Sequence, residues 1–397
     1  MTTSSPTLTV DTATDLIDRA LRPDVPGRGS VGLEVEWIVV DLGDTGRPVG
    51  GDEVLSAAAG ALPAGGTVGV EPGGQLELTT DRHVDAPAAL TATDIDESAL
   101  RDRLCRAGLG LVATGVDPFR PPRRSLDLPR YRAMEAAFDA RGPAGRVMMC
   151  STASLQVNVD FGSDPLATFE RAGLVAPVLA AAFANSPRIS PDGSTLASAR
   201  SLVWSAIDPG RTRPVPARPA GSWSTYAFDA DVLYIRSDGG THPVGAPFPF
   251  RRWLAEGHRL GHPDEADVVE HLSTLFPPVR PRGWLECRFF DALAAHDRRI
   301  AVAALVALLS DDAPLDALSR ACAHVDDPWP LVPSGLADPA MRQAAEACLT
   351  LAADLLDRSG PDGGGPVRAW AARRGAAGWA PPVIDLQSLH HLEQETR

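Results

Sequence analysis

The stretch VGLEVEWIVV, residues 31–40, decides the fold. It is apolar enough for a buried strand, yet it carries Glu34 and Glu36 two positions apart. Side chains alternate along a strand, so both carboxylates leave one face while Leu33, Val35 and Trp37 leave the other. Like charges side by side repel, and unpaired charges are seldom buried. The pattern calls for something cationic in front of this pair.

Three more segments read the same way. In GQLELTT, Gln75, Glu77 and Thr79 oppose Leu76 and Leu78. In SLQVNVDF, Ser154, Gln156, Asn158 and Asp160 oppose Leu155, Val157, Val159 and Phe161. In WLECRFF, Glu286 and Arg288 oppose Leu285, Cys287 and Phe289. Each strand has an apolar face that needs helices against it. Each polar face carries carboxylates, amides or an arginine in place of the mixed Lys, Thr and Ser of a solvated sheet. A single such strand reads equally well as a water-facing edge of an antiparallel sheet. If the four share one sheet, Glu34, Glu36, Glu77 and Glu286 converge, and hard divalent cations with oxygen preference would balance them. Glu71, in the turn EPGG at 71–74, would stand at the end of one of these strands, where Gly73 permits close approach of the backbone to a ligand.

Composition narrows the possibilities. A hydrophobic fraction of 44% with 22% charged residues is that of a globular protein, and 397 residues suffice for one large domain or two ordinary ones. The net charge of −14 argues against nucleic acid or an anionic membrane as partner. All 37 basic residues are arginine, which excludes a Walker loop, a protein-kinase site and lysine Schiff-base chemistry. Thus DFG at 160–162 is not the kinase metal motif. The 5 cysteines are scattered without a CxxC, so no structural zinc site and a reducing compartment are expected. MTTSSPTLTV lacks the features of a signal peptide, and IAVAALVALL at 300–309 is too short to span a bilayer, which together predict a cytoplasmic protein.

Along the chain, periodicity predicts helices near 11–22, over 85–108 and near 129–141, and another over 164–187 ended by Asn-Ser-Pro. Strands are expected at LGLVATG (109–115), over the whole of 147–162, at DVLYIRS (231–237) and at GWLECRFFD (283–291). Residues 208–221 read as a Pro/Arg-rich loop, Asp326 and Asp327 as a loop before Pro328, and His390 and His391 as a solvated tail. Helices fill most of the chain from about residue 297. The expected architecture is one α+β domain over residues 1–397, its helical C-terminal part packed on the rest.

The segments GLEVEW, VEPGGQLELTT, MCSTASLQVNVDF, AAFANSP, ASARSLVWSAIDPGRT, STYAFDADVLYIR and HLSTLFPPVRPRGWLECR resemble, in the same order over about residues 30 to 310, the glutamate–cysteine ligases of the plant and proteobacterial type. The resemblance implies a strongly curved, mostly antiparallel sheet flanked by helices, related to the glutamine synthetase catalytic core. It implies ATP-dependent joining of the glutamate γ-carboxylate to the cysteine amine through γ-glutamyl phosphate, with Mg²⁺, or Mn²⁺ in its place, and the chain acting as a monomer or homodimer. It places metal ligation on Glu34, Glu36, Glu71, Glu77 and Glu286, and phosphate contacts on Gln156, Asn158 and Arg288. Arg288 and Glu36 would be the catalytic pair, and Arg200, Trp204, Arg211 and Tyr226 would surround the amino acids. Some relatives have histidine where this chain has Gln156, so a hydrogen bond to substrate suits Gln156 better than metal ligation. In an actinobacterial member the product would feed ergothioneine synthesis, and elsewhere glutathione. Two other readings stay open at this level: a related ligase with a different amine acceptor, and a phosphotransferase or nucleotide-binding protein on the same fold.

Overall fold

The computed structural model describes residues 8–23, 29–190, 193–237, 239–245, 247–359 and 363–378. His390 and His391 lie outside them. The strands are β1 (Val31–Asp41), β2 (Thr67–Val70), β3 (Leu76–Thr79), β4 (Leu109–Val112), β5 (Ser154–Val159), β6 (Arg188–Ile189), β7 (Thr195–Leu196), β8 (Tyr234–Ser237), β9 (Gly240–Pro243), β10 (Val279–Pro281) and β11 (Leu285–Asp291). Seven of them form one sheet in the order β10-β11-β5-β1-β3-β2, with β4 on the far half of β1. Every pairing in it is antiparallel. β1 changes partner along its length, facing β5 through residues 31–35 and β4 through 38–41, so one central strand organises both parts of the sheet.

The four strands singled out by their alternation are consecutive neighbours: β11, β5, β1 and β3. Register carries the polar residues onto one face. Glu36 stands opposite Glu77, Glu34 opposite Gln156, and Glu286 opposite Asn158. A slip of one residue would drive these carboxylates into the core, and so the pattern excludes it. On the other face Leu33, Val35, Trp37, Leu76, Leu78, Leu155, Val157, Leu285 and Cys287 are fully buried. Each such aliphatic side chain contributes about 1.5–3 kcal/mol.

The helix Pro165–Ala182 covers that face. Asp164 caps its first turn, and Phe169, Val175 and Leu179 are buried. The C-terminal helices Ala295–Leu309 and Pro339–Ser359 pack on it in turn. One hydrophobic cluster runs from Leu8 to Trp370 and takes in both the sheet and these helices.

Four local expectations are corrected. Residues 147–151, expected as strand, belong to the helix Ala144–Ser151, because the run VMMC suits either element and its side chains pack into a second cluster with Phe138, Tyr234 and Phe276. Inside the 208–221 loop, Asp208 caps a short helix, Pro209–Thr212. DVLYIRS gives β8, which pairs with β9 in a separate hairpin. The Gly73 approach is to backbone: a Cβ there would lie 2.0 Å from the Cys150 carbonyl oxygen. Gln75 fastens the same junction, its Nε2 donating to the Thr152 carbonyl at 2.8 Å and its Oε1 accepting from the Gly73 amide at 2.9 Å.

Candidate active site

The turn closes with the Gly74 amide donating to the Glu71 carbonyl at 2.9 Å, which sets Glu71 beside the strand pair bearing Glu36 and Glu77. Oxygen atoms of Glu36, Glu71 and Glu77 lie within 4.8 Å of one another. Glu36 is 8% exposed and accepts from the Ser154 amide at 2.8 Å and from Gln156 Nε2 at 3.1 Å. Burial pushes its carboxyl up against the pull of Arg200 and Arg288. Burial, then the Glu36 charge, pushes Glu71 up to about 7 although Arg288 and Arg130 pull the other way. Burial, then Glu36 and Glu71, pushes Glu77 up to about 8. These are three hard oxygen donors that repel one another, a donor set that fits a divalent cation.

Glu34 and Glu286, also expected as ligands, fall outside that group. Glu34 accepts from Asn158 Nδ2 at 2.9 Å, and Asn158 Oδ1 accepts from Trp284 Nε1 at 3.0 Å. Glu286 is 1% exposed and ringed by guanidinium groups: Arg280 Nε at 2.5 Å, Arg288 Nη1 at 2.9 Å and Arg282 Nη1 at 3.2 Å. Despite burial, Arg280, Arg288 and Arg282 hold its carboxyl well below the usual range. Gln156 links the two regions, since its Oε1 accepts from Arg288 Nη1 at 2.5 Å while its Nε2 donates to Glu36. Glu36, Gln156, Arg288 and Glu286 thus form one chain of contacts across three strands.

A cavity of about 560 Å³ opens beside Arg288. Arg200 and Trp204 line it. Arg200 is 3% exposed, its guanidinium lies 4.5 Å from the Trp204 ring centre, and its Nε has no hydrogen-bond partner. The AAFANSP and ASARSLVW segments explain its position. Asp291, at the end of β11, accepts from the Asn185 amide, Ser186 Oγ and Ser198 Oγ, which pins the start of the helix Ala199–Ser205.

Arg211 and Tyr226 are not brought to this cavity. Arg211 is fully buried and donates to the Thr274 carbonyl and Oγ1, the Asp231 carbonyl and Asp208, so its donors are occupied by scaffold. Tyr226 lines a neighbouring cavity of about 370 Å³, and its hydroxyl has no partner. Sequence reasoning missed Arg280, Arg282 and Trp284, which flank Glu286 in the quoted PVRPRGWLECR. It also missed Arg130 and Tyr131, on the helix Pro129–Asp139, whose charges are felt by Glu71 or feel it. The dense arginines of 280–288 were a readable signal. Nothing local marked Arg130 and Tyr131.

A carboxylate cluster that makes no ion pair among the described residues, joined through Arg288 to an arginine-lined cavity, is the equipment of an enzyme that brings anions together around a metal. Residues 30–364 match the model of glutamate–cysteine ligase family 2, and the chain belongs to that family. It is 39% identical over 339 residues to the glutamate–cysteine ligase EgtA of Mycolicibacterium smegmatis, covering 82% of this chain and 80% of that one. It is 30% identical over 342 residues to the chloroplastic glutamate–cysteine ligase of Arabidopsis thaliana, covering 78% of this chain and 63% of that one. The crystal structure of the glutamate–cysteine ligase of Francisella tularensis, in complex with AMP, superposes with a TM-score of 0.58 at 13% identity, covering 92% and 86% of the two chains. Its fold is that of this chain.

Proposed function

We propose that this protein joins the γ-carboxylate of glutamate to the amine of cysteine, consuming ATP and releasing ADP and phosphate. The carboxylate cannot react as it stands, because its leaving group would be oxide. A γ-carboxylate oxygen attacks the terminal phosphorus of ATP, the bond to the bridging oxygen breaks, and ADP departs from γ-glutamyl phosphate. The cysteine nitrogen then attacks the acyl carbon, the bond to the phosphate oxygen breaks, and the nitrogen loses a proton.

The observation that carries this reading is the junction of the Glu36–Glu71–Glu77 cluster with Arg288 and the cavity beside it. Glu36, Glu71 and Glu77 would hold a Mg²⁺ ion, which would supply neutralisation of the nucleotide phosphates. Glu34, which accepts only from Asn158 Nδ2 and makes no ion pair among the described residues, is the carboxylate left for a second ion, and Glu286 can join it only by exchanging an arginine for metal. Arg288, gripped by Glu286 and Gln156, presents charge to the phosphoryl group in flight and is fixed beforehand, so little reorganisation is needed. Arg200, buried with an unused Nε, is suited to a carboxylate of the amino acid. Asn158 and Gln156 hold the acids in place through their amide donors.

The test is phosphate release from ATP across a panel of amino acids, with mass detection of product. Release that requires both glutamate and cysteine and yields γ-glutamylcysteine is expected. Release with a different amine would move the chain to a related ligase, and binding without turnover would remove the catalytic reading.

A further inference from the structure

The cavity beside Arg288 has a wall that nothing so far explains. The C-terminal helical part of the chain contributes Asp327, Trp329, Pro330 and Pro333 to it. These residues lie in and before the 3₁₀ turn Trp329–Ser334, whose Pro333 carbonyl accepts from the Ala197 amide at 2.8 Å and the Ser198 amide at 3.0 Å. The wall is therefore anchored to the same segment that positions Arg200.

The charges of the lining are uneven. Among the described residues, Arg200, Arg213 and Arg288 are its cations, and Asp327 is its single carboxylate. Asp327 is exposed at the rim and makes no hydrogen bond or ion pair among the described residues. Arg213 makes no ion pair among them either. Arg288 is on the buried side, held by Glu286 and Gln156. A ligand complementary to this lining carries anions toward the arginines and one cation toward the rim. Glutamate has that form: two carboxylates and one ammonium. With its γ-carboxylate at Arg288, where phosphoryl transfer takes place, the α-carboxylate falls to Arg200 or Arg213 and the α-ammonium to the remaining charge.

We infer that Asp327 binds the α-ammonium of the glutamate substrate, and that Trp329 walls that end of the cavity, so the helical C-terminal part selects the donor amino acid. This rests on the ligase reading above. The chemistry distinguishes donor from acceptor. The donor's ammonium stays protonated throughout and gains from a carboxylate. The acceptor's nitrogen must give up its proton to attack, and a carboxylate beside it would hold that proton on.

The experiment is steady-state phosphate release by the full-length protein and its Asp327→Asn variant, varying glutamate, cysteine and ATP in turn, with glutarate as the donor that lacks an ammonium. The exposed position makes Asp327→Asn harmless to folding. The expected result is a KM for glutamate raised about tenfold or more, that being the usual size of one charged hydrogen bond, with the KM values for cysteine and ATP unchanged. The preference of the unsubstituted protein for glutamate over glutarate should shrink by the same factor. A Trp329→Ala variant should raise the KM for glutamate without changing that preference. An unchanged KM for glutamate in Asp327→Asn, or a rise in the KM for cysteine instead, would overturn the inference and leave the ligase reading standing. No glutamate-dependent turnover by the unsubstituted protein would remove both.

Discussion

Two buried carboxylate sites share one face of the sheet and solve the same electrostatic problem in opposite ways. Glu286 is surrounded by Arg280, Arg282 and Arg288, so its charge is matched within the fold and its carboxyl is held low. Glu36, Glu71 and Glu77 crowd one another without an ion pair among the described residues; burial raises all three, and at Glu71 and Glu77 repulsion from the neighbouring glutamates adds to it. Burial alone acts in the same direction on both sites, so the difference comes from the neighbours. A carboxylate neutralised from within is scaffold, and here it aims Arg288. A cluster left unneutralised is a place for an ion from solution.

The comparison can be broken at several points. The largest effect is expected from Arg288→Met, which removes the cation linking both sites; turnover should fall on the order of a thousandfold, measured by phosphate release, while Arg280 and Arg282 keep Glu286 paired and the melting temperature stays close to that of the parent. Glu286→Gln should cost about 3–5 kcal/mol in denaturant unfolding, because it leaves buried guanidinium groups without their anion. Glu71→Gln should have the opposite sign in metal-free protein at pH 8, a gain on the order of 2 kcal/mol because no charge is then buried there and the repulsion from Glu36 is gone, yet it should sharply raise the Mg²⁺ needed for activity. Glu34→Gln and Glu36→Gln should likewise keep the fold and raise that requirement. If Glu286→Gln and Glu71→Gln shift stability in the same direction, the contrast between the sites is lost.

A pH scan sharpens the point. Glu71 and Glu77 move from an unfolded value of 4.5 to about 7 and about 8, so between these limits the folded protein holds protons that the unfolded chain has released. Their contribution to stability is full below about pH 4.5 and is lost as pH rises through about 7 to 8. Metal-free protein should therefore melt at progressively lower temperature across that window, and Mg²⁺ should restore more at pH 8 than at pH 5. A melting temperature that is flat in pH, or a Mg²⁺ effect that is larger at pH 5, would count against the cluster. The smallest effect belongs to Trp284→Phe, which removes the donor to Asn158 at 3.0 Å and should cost about 1 kcal/mol, seen in denaturant unfolding, with little change in metal requirement.

The alternation of residues 31–40 was enough to read the central strand, and the same period in three other segments identified its neighbours and the shared face. The pattern also rules out a one-residue slip, which would turn Glu36 and Glu77 into the core, while the choice among even offsets is made by the turn 71–74 and by packing. The period of a strand does not report what lies across from it, so the arginine ring around Glu286 was legible only as a run of basic residues. Arg211 is the reverse case. An arginine in a family motif beside prolines reads as a ligand-binding group, yet it is buried with its donors taken by Thr274, Asp231 and Asp208. The helix over 144–151 escaped notice because an apolar run of that length fits either element, and the choice was made by packing against Phe138 and Phe276. Asp327 lies in a loop before Pro328, as expected, and nothing local marks the cavity it lines, which is assembled from segments over a hundred residues apart.

The most direct measurement is anomalous diffraction from crystals soaked in Mn²⁺. The account predicts a peak in contact with the carboxylates of Glu36, Glu71 and Glu77, absent in crystals of Glu71→Gln. No peak there, or a peak only at surface acids while those three side chains stay bare, would contradict it.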